Sequence, residues 1–96
     1  MASDLSGKRI IVTGAATGIG RATTLRVSAS GAKVAAFDIN DADGAATISD
    51  VNESGGDARY WHVDVRDETA VAGAVAAAAV CVGGVDVLIH IAGVLK

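Results

Sequence analysis

Apolar residues fall along this chain in four short runs, separated by three longer stretches of different pattern. Lys8-Arg9-Ile10-Ile11-Val12-Thr13 is β-branched and reads as a strand; Lys33-Val34-Ala35-Ala36-Phe37-Asp38 reads as a second. Ala58 to Val63 predicts a third, and Val85-Asp86-Val87-Leu88-Ile89-His90-Ile91, apolar almost throughout, a fourth. Helices are expected between them. Arg21 to Ser30 forms the body of the first, with Ser30-Gly31-Ala32 as stop and turn. Asp41 to Glu53 is a weaker helix, with Asp41 as its expected N-cap and Ser54-Gly55-Gly56 as its end. Asp67 is the expected N-cap of the third, which runs to Val82 before Gly83-Gly84 stops it. Strands so continuous in apolar residues suit a parallel sheet covered on both faces. The expectation is an α/β chain of pattern βαβαβαβ, one domain over residues 1–96. It would be half of a doubly wound fold, a four-stranded parallel sheet of order 3-2-1-4 with helices on both faces.

The junction between the first strand and the first helix carries candidate chemistry. Thr13-Gly14-Ala15-Ala16-Thr17-Gly18-Ile19-Gly20 places three glycines where the backbone must turn tightly and approach a bound group. The amides and the positive dipole end of the new helix point at that group, which makes a pyrophosphate its natural occupant. Ligands of such sheets bind beyond the carboxyl ends of the strands, and acids stand at two of those ends. Asp38 closes the second strand beside Ile39, and its carboxylate can accept both ribose hydroxyls of an adenosine and repel a 2′-phosphate. Asp64 closes the third strand beside Val65 and could accept from an adenine amine. Ala92-Gly93 follow the fourth strand, where lack of bulk lets a cofactor pass close to the backbone. Each acid has a plainer alternative: Asp38 as a turn cap, Asp64 as a cap for the helix near Asp67.

Composition narrows the partners. The net charge of −3 comes from scattered acids and bases, and no basic stripe exists to neutralise phosphates, so no nucleic-acid partner is expected. A lone Cys81 cannot form an internal disulfide, which favours a reducing, cytoplasmic setting. Met1 to Gly7 lacks the cationic start and apolar run of a signal peptide. Thr69 to Val85 is free of charge but Ala-rich and slightly short for a span, so no membrane segment is expected. Two distant histidines and one cysteine do not make a metal site.

These residues resemble the short-chain dehydrogenases/reductases. Thr13 to Gly20 is similar to that family's TGxxxGIG loop, Asp64-Val65 to its adenine-contacting Asp-Val, and Asp86 to Gly93 to its DVLVNNAG segment. The resemblance covers the whole chain and implies a Rossmann fold that binds a nicotinamide dinucleotide. Cofactor contacts would then fall on Gly14, Thr17, Gly18, Ile19, Gly20, Asp38, Ile39, Asp64, Val65, Ala92 and Gly93. Asp38 matches the family's NAD-selecting acid, and Thr17 is not the basic residue of many NADP-preferring relatives, so NAD is implied before NADP. Two departures stand out. His90 and Ile91 occupy the places of the family's two asparagines, and His90 is expected to be satisfied by a backbone carbonyl. The family's Tyr-x-x-x-Lys catalytic pair is not matched: Tyr60 is the one tyrosine, and Asp64 lies four residues after it. No catalytic residue is therefore assigned, and the expectation is a cofactor-binding module without its own hydride chemistry. The alternatives are a site rebuilt across a homodimer or with a partner chain, and a self-associating chain that binds nothing.

The same pattern predicts unfinished surface. In the order 3-2-1-4 the fourth strand is an apolar edge, a template for another chain. From Ala70 to Val82 the third helix contains only Ala, Val, Gly and Cys, so it has no polar face. A homodimer or higher oligomer is expected through the fourth-strand edge, the helix over 67–82, or both.

Overall fold

Ile10, Ile11 and Val12 point alternately to opposite faces of one strand, yet none is more than 2% exposed. A strand so buried must lie inside a sheet covered on both sides. The computed structural model, which describes residues 5–91, shows how this is done. In chain order the elements are β1 (Arg9–Thr13), α1 (Gly18–Ala29), β2 (Lys33–Asp38), α2 (Asp41–Glu53), β3 (Asp57–His62), α3 (Glu68–Val82) and β4 (Val87–His90). The strands form one sheet in the order β3-β2-β1-β4, every pairing parallel. That is the predicted half of a doubly wound fold.

Side-chain alternation sorts the core into two layers. Ile10, Val12, Val34, Ala36 and Ala58 meet Leu25 of α1 and Ile48 and Val51 of α2 on one face. Ile11, Ala35 and Phe37 meet Ala74 and Ala78 of α3 on the other. Phe37 is fully buried and takes the edge of Trp61, with ring centroids 6.0 Å apart. Gly44 lets α2 lie close to β3, because a Cβ there would come within 2.3 Å of the Tyr60 ring.

Several boundaries differ from the sequence expectation, each for a local reason. α1 begins at Gly18, three residues before Arg21, so the glycine turn feeds directly into helix. The cap of α2 is Asn40, not Asp41: Asn40 accepts from the Asp43 amide, and its own side-chain amide reaches the Asp43 carboxylate. Asp41 is instead the first helical residue, turned toward Tyr60 and His62. Asp67 caps α3 as expected, accepting from Thr69 and Ala70. β4 starts at Val87, because Asp86 is occupied by Arg9 through the Arg9 amide, Nε and Nη2. Ala92 and Gly93 lie outside the described residues.

The far face and the β4 edge are thinly covered. Only Ala74 and Ala78 of α3 are buried, while Val80 is 84% exposed. On β4, Leu88 is 55% exposed and Val87 41%. No helix among the described residues is long and apolar enough to cross a membrane.

The Arg9–Asp86 pair makes acid stability testable. Hydrogen bonds from the Arg9 side chain and then its amide hold the Asp86 carboxyl at about 2. Because this lies below the unfolded value of about 3.9, the contribution is complete above about pH 4 and is lost as pH falls toward 2. Urea unfolding midpoints measured across that window should fall less steeply in Asp86→Asn than in the parent chain. Equal slopes would show that the pair does not tie β4 to β1.

Candidate functional site

The turn from β1 into α1 is shaped by two glycines with different tasks. Gly18, the first residue of α1, has φ +56, a left-handed conformation that a side chain would strain, and a Cβ there would face open space. Gly20 lies two residues further along the first turn and is buried; a Cβ on it would come within 1.6 Å of the Gly14 carbonyl oxygen. The helix therefore starts in contact with the end of β1. Its N-cap, Thr17, makes no side-chain capping bond, whereas α2 and α3 are capped by Asn40 and Asp67. The first amides of α1 are left for something else.

Asp38 stands beside this turn at the end of β2. Its Oδ2 accepts from the Ala16 amide at 2.9 Å; its Oδ1 accepts from Ile39 at 2.7 Å and Asn40 at 3.2 Å. The carboxylate thus caps its own turn, the plainer alternative, and also braces the glycine turn. Gly14 and Ala15 both donate to the Phe37 carbonyl, which draws the turn onto the end of β2. Ile19 and Ile39 flank the region with exposed apolar side chains, 74% and 53%.

Asp64 and Val65 follow β3 on the same strand-end side of the sheet. Asp64 is already chelated by Arg66, which donates from Nε at 3.0 Å, from Nη2 at 2.9 Å and from its backbone amide at 3.0 Å. The side-chain bond, then the backbone bond, holds the carboxyl at about 2. It remains an anion at any ordinary pH. Arg66 was not singled out in the sequence, although an acid two residues before an arginine is a readable signal for such a pair.

Tyr60 and His62 occupy the adjoining corner. The Tyr60 hydroxyl lies 2.8 Å from the Asp38 carbonyl and 2.7 Å from Asp41 Oδ1, and its single proton serves one at a time. Burial, then the bond to Asp41, pushes this phenol well above its usual range. Bonds from Tyr60 and His62 lower Asp41. Both rings serve to pin the start of α2. His90 finds a different partner from the one expected: its Nδ1 lies 2.8 Å from the Thr13 hydroxyl, not on a backbone carbonyl. Thr13 Oγ1 also accepts from the Ile91 amide at 3.1 Å, so one buried hydroxyl binds β4 to the root of the glycine turn. Among the described residues no cluster of His, Cys, Asp and Glu could hold a metal ion.

A shallow cleft of about 340 Å³ opens beside the turn, lined by Ala16, Thr17, Gly18, Arg21, Asp43, Ala46 and Asp50. Residues 8–96 match the profile of the short chain dehydrogenases. The chain belongs to the short-chain dehydrogenase family. A 2,5-dichloro-2,5-cyclohexadiene-1,4-diol dehydrogenase of Sphingobium indicum is 50% identical over 84 residues, covering 88% of this chain and 32% of that protein. A dehydrogenase/reductase of Sinorhizobium meliloti superposes with a TM-score of 0.91 at 35% identity, over 96% of this chain and 37% of its own. An NAD+-bound xylitol dehydrogenase superposes at 0.85 with 36% identity, over 88% and 33%. This short-chain dehydrogenase chain therefore spans about a third of the length of the proteins it matches. Proteins of this family bind nicotinamide dinucleotide cofactors.

Gly20 offers a direct test. Gly20→Ala must push the helix away from the Gly14 carbonyl, an overpacking change that costs about 1–3 kcal/mol. Thermal unfolding should show the loss, and any dinucleotide affinity should fall with it. An alanine variant as stable as its parent would mean that the turn is not packed as described.

Proposed function

We propose that this chain binds NAD, with the pyrophosphate on the first amides of α1 and the adenosine ribose at Asp38. One observation carries the reading: α1 alone among the three described helices starts without a side-chain cap, and it does so beside a strand-end carboxylate. In this reading Gly14, Thr17, Gly18, Ile19 and Gly20 form the phosphate turn. The dipole and free N–H groups there favour an anion. Asp38 would accept from the ribose and repel a 2′-phosphate, favouring NAD over NADP. Asp64 and Val65 would flank the adenine, with Ile19 and Ile39 giving apolar contact. Ala92 and Gly93 remain part of the proposal from their place in the sequence.

NAD, when bound, supplies the hydride acceptor. The chain's own residues bind and orient it. Substrate and turnover would belong to a longer protein of the relatives' size, or to an assembly in which a partner chain brings catalytic groups. The one tyrosine of the sequence is engaged with Asp41 and the Asp38 carbonyl, away from any such role. The exposed β4 edge and outer face of α3, with Leu88 and Val80, are proposed to self-associate as a homodimer in the isolated chain. The exposed, unpaired Cys81 supports a reducing compartment such as the cytoplasm.

Calorimetric titration tests the cofactor reading. NAD and ADP-ribose should bind with similar affinity, since the proposed contacts fall on the part they share, and NADP should bind more weakly. Asp38→Ala should reduce NAD affinity by about 1.5–3 kcal/mol, the range for hydrogen bonds to a charged group, and narrow the gap to NADP. Absence of heat with all three nucleotides would sink the proposal. For self-association, light scattering over a dilution series should show dimers that Leu88→Glu dissociates; a monomer at every concentration would remove the interface.

A further inference from the structure

Ala16 lies in the middle of the turn between β1 and α1, and its backbone is held from two directions. Its N–H donates to Asp38 Oδ2 at 2.9 Å, and its carbonyl lies 3.2 Å from the Thr47 hydroxyl. Thr47 sits within α2, 1% exposed. A threonine inside a helix commonly turns its hydroxyl back to the carbonyl four residues earlier, and Thr47 has that partner in Asp43 O at 3.0 Å. One proton is thus shared between its own helix and the glycine turn. Arg21, on the first turn of α1, donates from Nη1 to the same oxygen at 3.0 Å, and its Nη2 is anchored on Asp50. The relay runs from Asp50 through Arg21 and Thr47 to Ala16, and Asp38 closes it from β2. Burial alone does not call for a hydroxyl here, because valine has the same shape.

We propose that Thr47, oriented by Arg21, is a positioning residue that holds the Ala16 carbonyl, and with it the backbone around Ala16, so that the phosphate turn is formed before a ligand arrives. The ligand role rests on the dinucleotide reading above; the hold on Ala16 does not. A turn ordered in advance leaves less conformational freedom to lose on binding, which raises affinity without a contact to the ligand.

Two variants separate the hydroxyl from the packing. Thr47→Val keeps the volume and removes the hydroxyl, whereas Thr47→Ser does the reverse. Amide hydrogen exchange of the ligand-free chain reads the hold on Ala16, and titration with ADP-ribose reads its consequence. In Thr47→Val the Ala16 amide should exchange about tenfold faster and ADP-ribose should bind about tenfold more weakly, the scale of one net hydrogen bond. Thr47→Ser should match the parent in both, even if its melting temperature drops. Parent-like exchange in Thr47→Val, or an equal loss in Thr47→Ser, overturns the proposal. Should Thr47→Val not fold, Arg21→Gln leaves the core volume untouched and should give part of the same acceleration; unchanged exchange at Ala16 there also overturns it. Thr47-dependent protection in a parent chain that binds no ADP-ribose supports the hold on Ala16 and overturns the dinucleotide reading instead.

Discussion

The contact of Gly20 with the Gly14 carbonyl is the constraint on which the site depends. A Cβ at Gly20 would come within 1.6 Å of that oxygen, so α1 starts against the end of β1 with no side chain between them. Close approach fixes where the first turn of the helix points. It also places Ala16 within reach of Asp38 on one side and Thr47 on the other. The helix starts on an exposed Thr17 whose side chain makes no capping bond, and amides at such a helix start can serve an anion.

The two faces of the sheet are finished to different degrees. On one, α1 and α2 cover β1, β2 and β3 and contribute Leu25, Ile48 and Val51 to a shared core. On the other, a single helix of small residues covers β1 and β2 and leaves Leu88 of β4 open. α3 buries alanines rather than large side chains, which lets it lie close to the sheet but limits the apolar area it removes from water. The candidate site draws its stiffness from the better-built face. All the side chains that hold Ala16, namely Asp38, Thr47 and, through Thr47, Arg21, come from β2, α2 and α1.

Strand and helix order, sheet order and the glycine turn were legible because each rests on local pattern: apolar runs, turn residues and spacing. Asp38 was legible as the acid that ends its strand, whereas Asp64 falls two residues past the end of β3, which stops at His62 and not at Val63. What escaped was set by contacts between elements. Nothing local distinguishes Asn40 from Asp41 as a cap; the Tyr60 and His62 side chains draw Asp41 away, and both come from β3. Thr47 reads as one more residue of a weak helix until α2 is laid against the turn. His90 meets Thr13, 77 residues away, because β4 pairs with β1 in a register that puts the two side by side.

Asp38 carries two demands at once, and its lone pairs show how they are reconciled. A carboxylate offers about four acceptor positions. The Ile39 and Asn40 amides take those of Oδ1, and the Ala16 amide takes one on Oδ2. Among the described residues Oδ2 keeps one open position, next to the backbone of Ala16 in the glycine turn. In the proposed complex the ribose would be read there, so sugar recognition and phosphate recognition meet at Ala16. A 2′-phosphate would bring its charge to the oxygen that holds the turn together. Selection against it would then disturb the pyrophosphate site as well as the ribose, a stronger penalty than repulsion by an isolated surface acid.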